Sequence, residues 1–129
     1  MNLNSAMQIS STGLAAERFR LDIISGNIAN ANSISADGKE AYRRHNVVLT
    51  GGPDGVQVTQ VVTDQGPLVK EHDPGNPNAD AYGNVYHSNV NPITEMVDML
   101  GASRAYEANV EAFNTAKGMA KEALNIGKA

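Results

Sequence analysis

Apolar residues recur along the first thirty positions in steps of four and three. Leu3, Met7, Ser10, Leu14, Glu17, Leu21, Ile24 and Ile28 form a heptad stripe, apolar at six of eight places. The spacing predicts a helix over about 5–30, with Ser5 as its cap and Gly13 as a weak point. A second stripe runs through Met96, Met99, Ser103, Tyr106, Val110, Phe113, Lys117, Ala120 and Leu124, widened at its start by Ile93, Val97 and Leu100. It predicts a helix over about 92–126. Asn91 would cap it, Pro92 suits its first turn, and Gly127 would stop it.

Between the stripes the period changes. "NVVLT" and "VQVTQVV" are β-branched runs joined through Pro53-Asp54-Gly55, a turn signal, and so predict a hairpin. "PLVKE" and "YGNVYH" predict two further short strands, separated by the proline-broken loop "HDPGNPNAD". The expected fold is mainly α with a small β insert. The long terminal helices would pair as an antiparallel coiled coil, forming one discontinuous domain over 1–36 and 92–129, with a β-hairpin-rich insert over 37–91.

Composition removes several classes of function. Net charge is −4 and the only adjacent basic pair is Arg43-Arg44, so no nucleic-acid face is expected. With no cysteine there is no disulfide frame, thiolate metal site or thiol nucleophile. The N-terminal residues lack the basic and apolar regions of a secretory signal, and no apolar run is long enough to span a membrane. Glu71, His72 and Asp73 are consecutive and point to alternate sides, while His45 and His87 lack ligand-spaced partners. "TGGPDG" lacks the lysine and following helix of a phosphate loop, and Glu107 and Glu111 read as a solvated helix face. No catalytic residue, metal site or cofactor is expected.

The helices themselves are thin. Aromatic residues make up 5% of the chain, with no tryptophan. The second helix carries Ala102, Ala105, Ala108, Ala112, Ala116, Gly118 and Ala123 off its main stripe, either to admit close neighbours or because alanine favours helix. Three asparagines crowd "SGNIANANS" at the end of the first helix. Asn27 and Asn30 share a face and could tie groups of adjacent helices, or the segment could dissolve into an asparagine-rich turn, which accounts for Asn32.

"SGNIANANS" resembles the N-terminal signature of the bacterial flagellar rod and hook axial proteins. "AYRRHNVVL", "PGNPNADAYGNV" and "EMVDMLGASRAYEANVEAFNTAKGM" closely resemble the proximal rod branch of that family, and the likeness runs from Leu3 to Gly127. It departs at His72-Asp73-Pro74, Asn84 and Ser88, where that branch commonly has Tyr-Glu-Pro, an aromatic residue and proline. The resemblance implies a structural subunit of the basal-body rod, not an enzyme, exported through the flagellar type III apparatus without a cleaved signal. Implied partners are other rod proteins, copies of itself and the base of the export apparatus. The interface side chains would be Leu14, Leu21, Asn27, Ile28 and Asn30 on the first helix. On the second they would be Met96, Met99, Tyr106, Asn109, Val110, Phe113 and Asn114. Another axial component, or a small secreted enzyme with a polar pocket in 37–91, are the alternatives.

Overall fold

A computed structural model describes residues 2–36 and 39–128. The elements run α1 (Leu3–Ala29), β1 (His45–Gly52), β2 (Gly55–Thr63), β3 (Val69–His72), β4 (Asn84–His87) and α2 (Pro92–Gly127). The strands form two separate two-stranded sheets, β1 with β2 and β3 with β4. The predicted class, two long helices around a small β portion, is therefore what the chain adopts.

Local chemistry fixes the helix ends. Asn2, not Ser5, caps α1: its Oδ1 accepts from the Ser5 N–H at 2.8 Å, while Ser5 Oγ accepts from the Asn2 N–H at 3.0 Å. Ser5 thus sits three residues in and completes a reciprocal capping box. Asn91 caps α2 as expected, its Oδ1 accepting from the Ile93 N–H at 3.0 Å. Gly127 lies within α2 rather than beyond it.

By contact the chain divides into two units, each with parts of both helices. The first comprises Met1–Leu21, Val47–Gln60 and Leu100–Ala129. Here α1 and α2 approach at Gly13, where an added Cβ would lie 2.7 Å from Asn109 Oδ1. The glycine that weakens the helix locally is what lets the Asn109 amide lie against its backbone. The β1–β2 hairpin is fastened to α1 by Thr12, whose hydroxyl donates to the Ile9 carbonyl at 2.7 Å and accepts from the Val56 N–H at 3.0 Å. Gly55 has φ +118°, and its α-carbon faces the same hydroxyl so closely that a Cβ would collide with it.

The second unit comprises Asp22–Asn46 and Val61–Met99. β3 and β4 are antiparallel, with Val69 opposite His87 and Glu71 opposite Val85. The segment after α1 adds to β4, the Ser35 N–H donating to the Tyr86 carbonyl at 2.9 Å and the Ser88 N–H to that of Ser33 at 2.9 Å. Val85 and Val90 are buried there.

At the centre of this unit the helices meet through an amide. Asn27 is 0% exposed and fully bonded. Its Nδ2 donates to the His45 carbonyl at 2.8 Å and to Glu95 Oε2 at 3.0 Å. Its Oδ1 accepts from the His45 N–H at 3.0 Å and the Tyr42 hydroxyl at 2.9 Å. Glu95, also 0% exposed, pairs through its other oxygen with Arg44 Nε, and Arg44 reaches Asp98 at 3.0 Å. Burial alone would lower the Arg44 pKa, but the bond to Glu95 and the nearby carboxylates raise it on balance. Burial, with the Glu95 charge adding, raises the Tyr42 phenol above 10.0.

In the first unit Gly13 of α1 faces Asn109 of α2, and in the second unit Asn27 of α1 faces Glu95 of α2. These contacts also shift the seam from the expected stripes. Glu17 and Ile24 remain inside, but Gly13 and Asn27 replace Leu14 and Ile28 there. On α2, Glu95, Ala102 and Ala116 are buried in place of Met96, Ser103 and Lys117. Small residues allow close backbones, and the Asn27–Glu95 bond requires both partners inward, so the apolar stripe turns toward the flank by roughly half of a 100° residue step.

Gly55→Ala is expected to lose about 1–3 kcal/mol, combining the positive φ with the collision at Thr12, as read from urea unfolding. Asn27→Ala, which strands Glu95 and two backbone groups, is expected to cost about 2–4 kcal/mol in the same assay. Because the folded Tyr42 pKa lies above its unfolded value, its contribution is complete below pH 10.0 and is lost as pH rises through the folded value. Unfolding followed across that alkaline range should show a limb that Tyr42→Phe flattens.

Candidate assembly surface

Large apolar side chains that the seam does not take up lie on the surface of α2. Ile93 is 74% exposed, Val97 62% and Leu100 62%, with Met96 beside them. Steps of four and three place Ile93, Val97 and Leu100 on one side of the helix, opposite the direction of Ala102. Arg104, Glu107 and Glu111 continue that side, all exposed. Near the C-terminal end Met119, Leu124 and Ile126 are exposed as well, and residues 121–128 are exposed throughout.

The expected interface residues differ in burial, and Asn109 is half-buried. Leu14, Leu21, Ile28, Met99, Tyr106, Val110 and Phe113 are half-buried on the flanks of the seam. Met96, Asn30 and Asn114 are exposed. Asn27 is buried, and its amide is bonded within the chain to His45, Tyr42 and Glu95, the last on the adjacent helix. The other amides act locally: Asn30 Nδ2 donates to the Gly26 carbonyl at 2.8 Å and Asn109 Nδ2 to that of Ala105 at 3.0 Å. Asn30 thus closes the end of α1, the turn alternative weighed for this segment.

Two residues that matter here carried no sequence signal of their own. Glu95 reads as an acid suited to a helix first turn, and only its place opposite Asn27 reveals it as a buried partner. Asn89 braces three backbone groups, accepting from the Arg44 N–H at 2.8 Å and donating to the Asp64 and Gly66 carbonyls at 3.3 and 3.4 Å.

The β-rich part contains an open groove of about 770 Å³, lined by Ala36, Arg43, Leu68, Pro77, Asp80 and Tyr86 among others. Arg43, Glu40 and Asp80 in its lining are committed to local structure. Arg43 binds Glu40 at 3.2 Å and the Gly66 carbonyl at 2.7 Å. Asp80 accepts from the N–H groups of Tyr82 and Asn84 at 2.8 and 2.9 Å. The Asn84 N–H chiefly holds the Asp80 carboxyl below its ordinary pKa, with the Tyr82 N–H and Tyr86 hydroxyl adding. The histidines are dispersed: His45 lies 3.0 Å from the Tyr42 hydroxyl, His72 3.3 Å from Asn84 Oδ1 and His87 2.7 Å from Glu71. Among the described residues no three acidic or imidazole groups converge as metal ligands would.

The comparisons agree with that emphasis on the helices. The family described as flagella basal body rod protein matches residues 7–33, and the C-terminal family of flagellar basal body rod FlgEFG proteins matches residues 82–126. Among whole proteins, the flagellar basal-body rod protein FlgC of Borreliella burgdorferi is 38% identical over 98% of both chains. FlgC of Salmonella typhimurium is 38% identical over 99% of this chain and 100% of its own. FlgC of Bacillus subtilis is 34% identical over 95% of this chain and 97% of its own. At this identity over nearly the whole length, with helices, hairpins and capped ends in the expected order, the chain belongs to the FlgC family of flagellar basal-body rod proteins, which are structural subunits of the rod.

Proposed function

We propose that this subunit takes its place in the proximal rod by laying the exposed side of α2 against neighbouring rod subunits, copies of itself and other rod proteins. The observation that carries the proposal is the row Ile93, Val97 and Leu100, each more than half exposed although chemically suited to a core. Contiguous apolar surface of this kind on a small chain marks a protein–protein contact. The buried set supports the same conclusion, for it consists mainly of small residues and polar groups, with few large apolar side chains. Half-buried Leu14, Leu21, Ile28, Met99, Tyr106, Val110 and Phe113 would complete their burial against neighbours. The base of the export apparatus is a further neighbour at the basal body, and the assembled wall would enclose the channel through which later subunits pass.

Val97→Asp tests the contact. At an exposed position it is expected to change chain stability by no more than about 0.5 kcal/mol, while rods fail to form and cells stop swimming. Normal swimming with Val97→Asp would remove this side of α2 from the assembly. Backbone amides of residues 121–127 are expected to exchange rapidly in the dilute chain and slowly in purified basal bodies, as mass spectrometry after deuterium labelling would report.

A further inference from the structure

We infer that α2 carries its own axial register: a parallel second copy, shifted by ten residues, docks its basic flank on the acidic flank of the first. Four exposed side chains carry the inference, Glu107, Glu111, Lys117 and Lys121. The acids are four residues apart and so are the bases. Like charges at that spacing are neighbours on a helix and repel, so neither pair helps α2 by itself. Among the described residues, none of the four takes part in an ion pair. The charge pattern is therefore unmatched among the described residues, yet it is matched by itself: ten residues separate Glu107 from Lys117, and ten separate Glu111 from Lys121.

The helix converts that interval into geometry. Ten residues rise about 15 Å and turn the side chain to about 80° round the axis. Acids and bases therefore occupy the two flanks of one strip, at different heights. When helices pack in parallel, the left flank of one meets the right flank of the next, as e and g positions do in a coiled coil. A parallel copy displaced by about 15 Å then sets Lys117 beside Glu107 and Lys121 beside Glu111 simultaneously. An antiparallel copy could bring Lys121 to the level of Glu107 and Lys117 to that of Glu111, but on opposite flanks. Because the parallel contact requires a displacement, it does not close on itself and repeats from copy to copy. Val110 and Asn114 lie between the charged positions and would be covered. The contact presupposes the rod assembly proposed above and adds to it the partner's direction and offset.

Two compensating pairs of substitutions separate the arrangements, expressed as full-length chains in a strain lacking the chromosomal copy. Glu107→Lys alone places two bases together and is expected to reduce swim-ring expansion by about ten-fold, at normal protein level. Adding Lys117→Glu restores the parallel contact and should return swimming to within about two-fold of the unaltered chain. Adding Lys121→Glu instead alters the residue that an antiparallel copy would bring level with position 107, and should leave cells immotile. Full swimming with Glu107→Lys alone, rescue by Lys121→Glu rather than Lys117→Glu, or rescue by neither would overturn the register. If the strain lacking the chromosomal copy swims unaided, it is the rod assembly itself that fails.

Discussion

The bonds of one buried amide hold α1 against α2 where Asn27 meets Glu95. Asn27 can make four hydrogen bonds and makes four, to backbone at His45, to a phenol and to a carboxylate on the other helix. A polar group with that degree of satisfaction tolerates little rotation, since each lost bond would leave a desolvated partner. With Asn27 and Glu95 directed inward, the positions beside them turn outward. The apolar flank of α2 is a consequence of this polar choice.

The same trade recurs on a smaller scale. Where a larger protein would fill space with aromatic rings, this chain brings backbones together at glycine and alanine and braces loops with asparagine. Gly13 admits the Asn109 amide, and Asn89 holds the start of β1 and the segment after β2. Such a framework is specific in register because amides and carboxylates need particular partners, whereas apolar surfaces accept many. The division is plain: polar bonds set the geometry within the chain, and apolar area remains at its surface.

Much of this was legible in the residues. Heptad spacing located both helices within two residues of their ends, and β-branched runs with Pro53-Asp54-Gly55 located the hairpin, because these signals are local and repeated. The side of the stripe that faces inward was not legible. Asn27 and Glu95 are 68 positions apart, and nothing within either segment distinguishes a bonded buried amide from a frayed helix end. Asn30, three residues on, has the same chemistry and ends as a local cap. Long-range partners, not residue type, separated the two.

The hairpin fastening carries a further consequence. Thr12 grips the backbone of β2 rather than any side chain, and Gly55 supplies the only α-carbon small enough to lie against its hydroxyl. Recognition at that joint is blind to what the loop displays. Gly51, Gly52, Pro53 and Asp54 are all exposed, so the residues of the tip can be exchanged while the joint beneath them keeps its form.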